Sequence, residues 1–183
     1  MNPNPARFDQ KKAESINGDH IQMLSATDFA ERIVPYLAAA GLVEAVPTPE
    51  QAAIIAASAP LVQERVQVLG DVPGMLGFLF GPLSAYDGDA LAALPASAGE
   101  VLVASVGALE LVPETGFTAS AVWEALSHAL IDELELKPRV AYGLPRVALT
   151  GRRVSPPLFE SMELLGKVES IRRLRALVEH LAA

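Results

Sequence analysis

Val101-Leu102-Val103-Ala104-Ser105-Val106 decides the fold class, because it is the one run in this 183-residue chain that could pass for a β-strand. Its flanks, with Ala96, Ala98 and Ala108, favour helix instead. Outward from it, the other periodic stretches place apolar residues three and four apart. Phe29, Ile33, Leu37 and Ala40 do so, with Thr27 or Asp28 as the expected cap. Ile54, Ile55, Leu61, Val62 and Leu69 follow, with Pro60 expected to break or kink the helix. Beyond Thr118, the residues Val122, Trp123, Leu126, Leu130 and Leu134 fall on one arc. Ser155-Pro156-Pro157 reads as a helix start with a capping hydroxyl, and Gly166 ends that helix. The next buries Ile171, Leu174, Val178 and Leu181. There is no strand–helix alternation and no hairpin signal. The expected fold is all-α.

The composition supports a folded core. Half the residues are apolar (51%), which excludes a disordered chain, and the length suits one domain or two small ones. With no cysteine there is neither a disulfide framework nor a thiolate zinc site. His20, His128 and His180 are too far apart for a local metal-ligand pair. No apolar run is long enough to span a membrane, and the N-terminus lacks the apolar centre of a signal peptide, so a cytoplasmic protein is expected.

Charge is unevenly distributed. The net value is −8, yet residues 137–175 carry +6 and the first 136 residues −13. A basic end on an acidic body fits either a polyanion-binding surface or a solvated, arginine-rich helical face. The stretch LVPETGFT (111–118), where the composition changes, predicts two helical parts, 1–112 and a basic 113–183, with FGPLSAYDG (80–88) dividing the first again.

Catalytic signals are missing. No phosphate-binding glycine loop and no GxSxG elbow occurs, and pairs such as Asp132/Glu133 read as solvated helix-end charge. Arginines at unusual positions remain. Arg65 is expected in the apolar arc of Leu61, Val62 and Leu69, either snorkelling or paired with a carboxylate such as Glu31, or offering its planar fork of donors to a ligand. The second region is Gly143–Glu160, GLPRVALTGRRVSPPLFE. There Arg146, Arg152, Arg153, Ser155 and the amides of a helix start form either a phosphate cradle or a capped surface loop. Tyr142, Phe159 and Trp123 read as core residues.

LPRVALTGRRVSPPLFESMELLGKVESIRRLRAL (144–177) resembles the C-terminal end of bacterial glutamyl-tRNA synthetases, with their P-L-R-x-A-L-T-G, P-x-L-F-E and L-L-G-K-E patterns. NPNPARFDQKKAESINGDHI (2–21) and SAPLVQERVQVLGDVPGMLGFLF (58–80) resemble further segments of the same family, so the likeness covers essentially the whole chain. It implies the anticodon-binding half alone, an all-helical cage of two subdomains. The family's H-x-G-H-type and K-x-S-K-type motifs are absent. On this resemblance the chain has no catalytic residues, metal site or cofactor of its own, and ATP and Mg²⁺ belong with the missing catalytic part. Its partner would be the anticodon loop of tRNA-Glu, with no DNA and no membrane, and a monomer is expected.

The resemblance also assigns site residues. Arg65 stands where an arginine reads the third anticodon base, C in glutamate tRNAs and G in glutamine ones. Cytosine offers the acceptors O2 and N3, whereas guanine presents N1 and N2 donors to a guanidinium that can only donate. Arg146 matches the arginine of P-L-R, although the order here is Leu-Pro-Arg. Ser155 stands where relatives have Thr, and His128 where some have an arginine. Arg152 and Arg153 complete the expected tRNA-binding set. The competing class is a helical protein-interaction or regulatory module, for which neither Arg65 in an apolar arc nor a basic C-terminal segment is needed.

Overall fold

The structure, a computed structural model, describes residues 9–83 and 85–182. Residues 2–8 of the N-terminal stretch quoted above, and Ser84 of the 80–88 loop, lie outside the described residues. Among the described residues all regular elements are helical, and Val101–Val106 lies within a helix. The chain forms two compact units, up to Gly77 and from Phe78.

The first unit contains α1 (Gln10–Gln22), α2 (Ala26–Ala39), α3 (Pro49–Gln63) and the short α4 (Val72–Leu76). Helix α2 starts two or three residues earlier than the expected caps, because the Ser25 hydroxyl accepts the Asp28 amide at 3.1 Å. Phe29, Ile33 and Leu37 are its buried stripe, whereas Ala40 is exposed; α2 packs on α3 and α4, which bury Ile55, Val62 and Leu76. Helix α3 opens with a reciprocal capping box between Thr48 and Gln51. It does not break at Pro60. That residue is exposed, so the carbonyl one turn earlier can hydrogen-bond to water. The helix stops instead at Gln63, whose buried amide donates to the carbonyls of Ile21 and Leu24, each at 2.9 Å. Arg65 therefore lies in the turn beyond α3 and not on its apolar face.

The second unit contains α5 (Gly88–Ala92), α6 (Ala98–Leu111), α7 (Ala119–Ser127), α8 (Pro138–Thr150), α9 (Leu158–Leu165) and α10 (Lys167–Ala182). Its core includes Leu102 and Leu109 of α6, Val122 and Leu126 of α7, Leu149 of α8, Met162 of α9, and Leu174 and Leu177 of α10. Burying each such side chain contributes about 1.5–3 kcal/mol relative to exposure. Helices α6 and α10 pack along each other. The Lys167 ammonium donates to the carbonyls of Glu110 and Val112, at 2.8 and 2.7 Å, and so caps the end of α6. The compact units consequently part at 77/78 and not at 112/113: the change in composition at LVPETGFT marks a connection inside the second unit.

Two apolar expectations fail in and just after α7. The chain continues from it as a π-helix, His128–Glu133, with more residues per turn than an α-helix. Leu130 stays buried, but Leu134 is turned out to solvent. Trp123 is 48% exposed, since the buried stripe is Val122, Leu126 and Leu130, and Trp123 lies one step round the helix from it. In α10 the buried face is Ile171, Leu174 and Leu177, while Val178 is half-buried and Leu181 exposed.

Candidate nucleic-acid interface

Helix α8 starts with Pro138 in its first turn, where the missing amide costs nothing. Arg139, Gly143 and Arg146 then fall four and seven residues along, on one face that spans about 10 Å of helix. This face, with Asp89 of α5, Arg153 and Val154, lines an open groove of about 920 Å³. Three guanidiniums and one carboxylate make it electropositive.

Gly151 fixes how the chain leaves α8. It adopts φ +73°, and a Cβ there would sit 2.6 Å from the carbonyl oxygen of Ala85. Its own carbonyl accepts the Asp87 amide at 2.8 Å. Arg152 follows with an ion pair to Asp87 at 3.8 Å, and Arg153 reaches the groove. The Thr150 hydroxyl bonds the carbonyls of Arg146 and Arg152, at 2.8 and 3.2 Å, tying this loop to the helix.

Not all of the basic segment is available to a ligand. On α10, Arg172 and Arg173 both pair with Glu169, at 2.7 and 2.6 Å, and Arg175 pairs with Glu110. The Arg172 hydrogen bond is the main reason that the Glu169 carboxyl titrates down at about 2; burial opposes this, and Arg173 adds to it. Arg173 is 3% exposed and donates to the carbonyls of Leu149, Phe78 and Gly81, at 2.8, 2.9 and 3.0 Å. It is a structural arginine.

Ser155 departs from its expected role. The residue before α9 is Pro157, with no side-chain cap, and Ser155 is 5% exposed with its hydroxyl accepting from Nη1 of Arg146 at 2.8 Å. The phosphate cradle expected from this hydroxyl and the helix start is therefore not assembled.

A family model described as "Anticodon binding domain" matches residues 28–178. The chain belongs to this family. The glutamate–tRNA ligase of Leifsonia xyli subsp. xyli is 61% identical over 176 residues, 95% of this chain and 36% of that relative. The corresponding ligase of Clavibacter sepedonicus is 56% identical, over 95% of this chain and 35% of its own length. A crystal structure of a glutamate tRNA ligase from Elizabethkingia meningosepticum, in complex with its amino acid, superposes with a TM-score of 0.74 at 25% identity. It covers 96% of this chain, which covers 33% of that one. The chain thus spans about a third of the length of the relatives it matches.

Within this anticodon-binding domain, the structure brings Arg146 and Arg153 together in the groove, with Arg152 beside Arg153 in sequence and paired to Asp87. His128 does not line the groove. It is exposed at the start of the π-helix, with Nδ1 3.4 Å from a Glu133 carboxylate oxygen. Arg65 belongs to the first unit, is exposed, and makes no side-chain hydrogen bond or ion pair among the described residues, so of the alternatives above the pairing with a carboxylate such as Glu31 is not formed. Sequence reasoning missed Arg139, although its seven-residue spacing from Arg146, just after a helix-starting proline, was the available signal. The described residues contain no group of His, Asp and Glu that could hold a metal ion, and no helix long and apolar enough to cross a membrane.

Proposed function

We propose that this domain reads the anticodon loop of tRNA-Glu as part of a glutamate–tRNA ligase. The observation that carries the reading is the Arg139/Arg146/Arg153 groove on a chain whose net charge is −8. A polyanion is repelled by the acidic body and attracted to this groove, where three guanidiniums face a single carboxylate, whereas Arg172 and Arg175 on α10 are paired with Glu169 and Glu110. Sequence-specific RNA recognition splays the bases of single-stranded loops against side chains, and the phosphate contacts set register. Arg146 and Arg153 supply such contacts, Arg152 supports them from the rim, and the exposed His128 imidazole adds a further contact. Arg65 reads the last anticodon base by donating to cytosine. The electropositive groove is what a protein-interaction module would not need; Arg65, outside any apolar arc, does not separate the two classes.

The domain does not itself activate glutamate. ATP and Mg²⁺ act in the remainder of the parent ligase, which works in the cytoplasm, and this domain is a monomer. The test is titration of the chain with the anticodon stem-loops of tRNA-Glu and tRNA-Gln. Preferential, salt-sensitive binding of the first supports the reading; equal or undetectable binding of both at low salt overturns it.

A further inference from the structure

We propose that Ser155 is a positioning residue that holds the Arg146 guanidinium at the groove without touching RNA; this rests on the groove being the RNA site. Ser155 is 5% exposed and does not line the groove, whereas Arg146 does. Nη1 of Arg146 donates to the Ser155 hydroxyl oxygen and to the Pro156 carbonyl, each at 2.8 Å. The Ser155 hydroxyl donates to the same carbonyl at 2.9 Å. The two hydrogens of Nη1 are therefore both directed into the loop, and this sets the plane of the fork. The Arg146 backbone is held as well, since its carbonyl accepts from Thr150.

A free arginine must be ordered when it meets a ligand, and that cost weakens binding. Here the ordering takes place on folding. Pro156 and Pro157 stiffen the segment that carries the two acceptors. Ser155 thus acts on affinity through Arg146, and its hydroxyl, already shared between a donor and an acceptor, is not offered to a base.

The test is a double-mutant cycle on the 183-residue chain, titrated with the tRNA-Glu anticodon stem-loop. Arg146→Ala is expected to weaken binding tenfold or more and Ser155→Ala about five- to tenfold, on the scale of one ordinary net hydrogen bond. The double variant should bind no worse than Arg146→Ala. Additive losses, or full affinity in Ser155→Ala, overturn the positioning role and leave the groove reading intact. Unchanged affinity in Arg146→Ala overturns both. A measurement on the unaltered chain guards against a variant that fails to fold. The Nε–Hε group of Arg146 should show an NMR order parameter near the rigid value of about 0.85, and a value below about 0.6 contradicts the proposal.

Discussion

The Arg173 guanidinium donates to the Leu149 carbonyl across 2.8 Å, joining the last turn of α8 to the middle of α10. The same side chain holds the carbonyls of Phe78 and Gly81 and the Glu169 carboxylate. A lysine has three donors on one point and cannot reach four acceptors spread around a plane. Arg173→Lys should therefore cost about 3 kcal/mol or more, the scale for breaking a buried pair. For a chain of this size that is a fall in melting temperature of roughly 6–12 °C. A change under about 0.5 kcal/mol in urea unfolding would contradict the account.

Gly151 sets the exit from α8, with positive φ and no room for a Cβ against the Ala85 carbonyl. Gly151→Ala should destabilise the domain by about 2 kcal/mol or more, combining backbone strain with the displaced contact. It should also weaken RNA binding, since Arg152 and Arg153 follow directly. Wild-type melting behaviour would show that the loop is not built this tightly.

Glu169 links stability to pH. Its carboxyl titrates at about 2 when folded and at the ordinary 4.5 when unfolded. Above 4.5 both states are ionised and the stabilisation is fully present; it is lost as pH falls from 4.5 towards 2. Glu169→Gln should melt lower than wild type at pH 7, and the gap should close over that acidic window. A gap that stays constant from pH 7 to pH 2.5 would rule out the Glu169 pairing as its source.

Local patterns were legible and distant partners were not. The helical character of Val101–Val106, the stripe Phe29/Ile33/Leu37 and the stop at Gly166 follow from spacing and backbone preference within a few residues. Arg65 leaves the expected apolar arc because α3 ends at Gln63, whose contacts to Ile21 and Leu24 lie some 40 residues away in sequence. Leu134 leaves the expected arc because the π-helix changes the number of residues per turn, while Trp123 lies one step round α7 from the buried stripe of Val122 and Leu126. The same limit hid Arg173, whose carbonyl partners lie 24 to 95 residues away. Ser155 had the composition of a cap, but Arg146 claims its hydroxyl. The domain boundary followed composition, while packing of α6 on α10 decides which helices belong together.

Arg65 now permits a cleaner experiment. Its side chain is exposed and makes no hydrogen bond or ion pair among the described residues, so Arg65→Gln should leave stability within about 0.5 kcal/mol. Gln can both donate and accept, so the preference for C over G at the last anticodon base should fall by about 1–3 kcal/mol. An unchanged preference, measured on stem-loops that differ only at that base, removes Arg65 from the recognition set.

The groove itself is tested most directly by comparing wild type with the Arg139→Glu/Arg153→Glu variant in binding to the tRNA-Glu anticodon stem-loop across a salt series. Neither side chain is needed for the core, so melting temperature should be nearly unchanged. Each lost phosphate contact should reduce the slope of log K against log salt by roughly 0.7–0.9, and affinity at low salt should fall at least tenfold. A folded variant that binds with wild-type affinity and slope would contradict the claim that RNA occupies this groove.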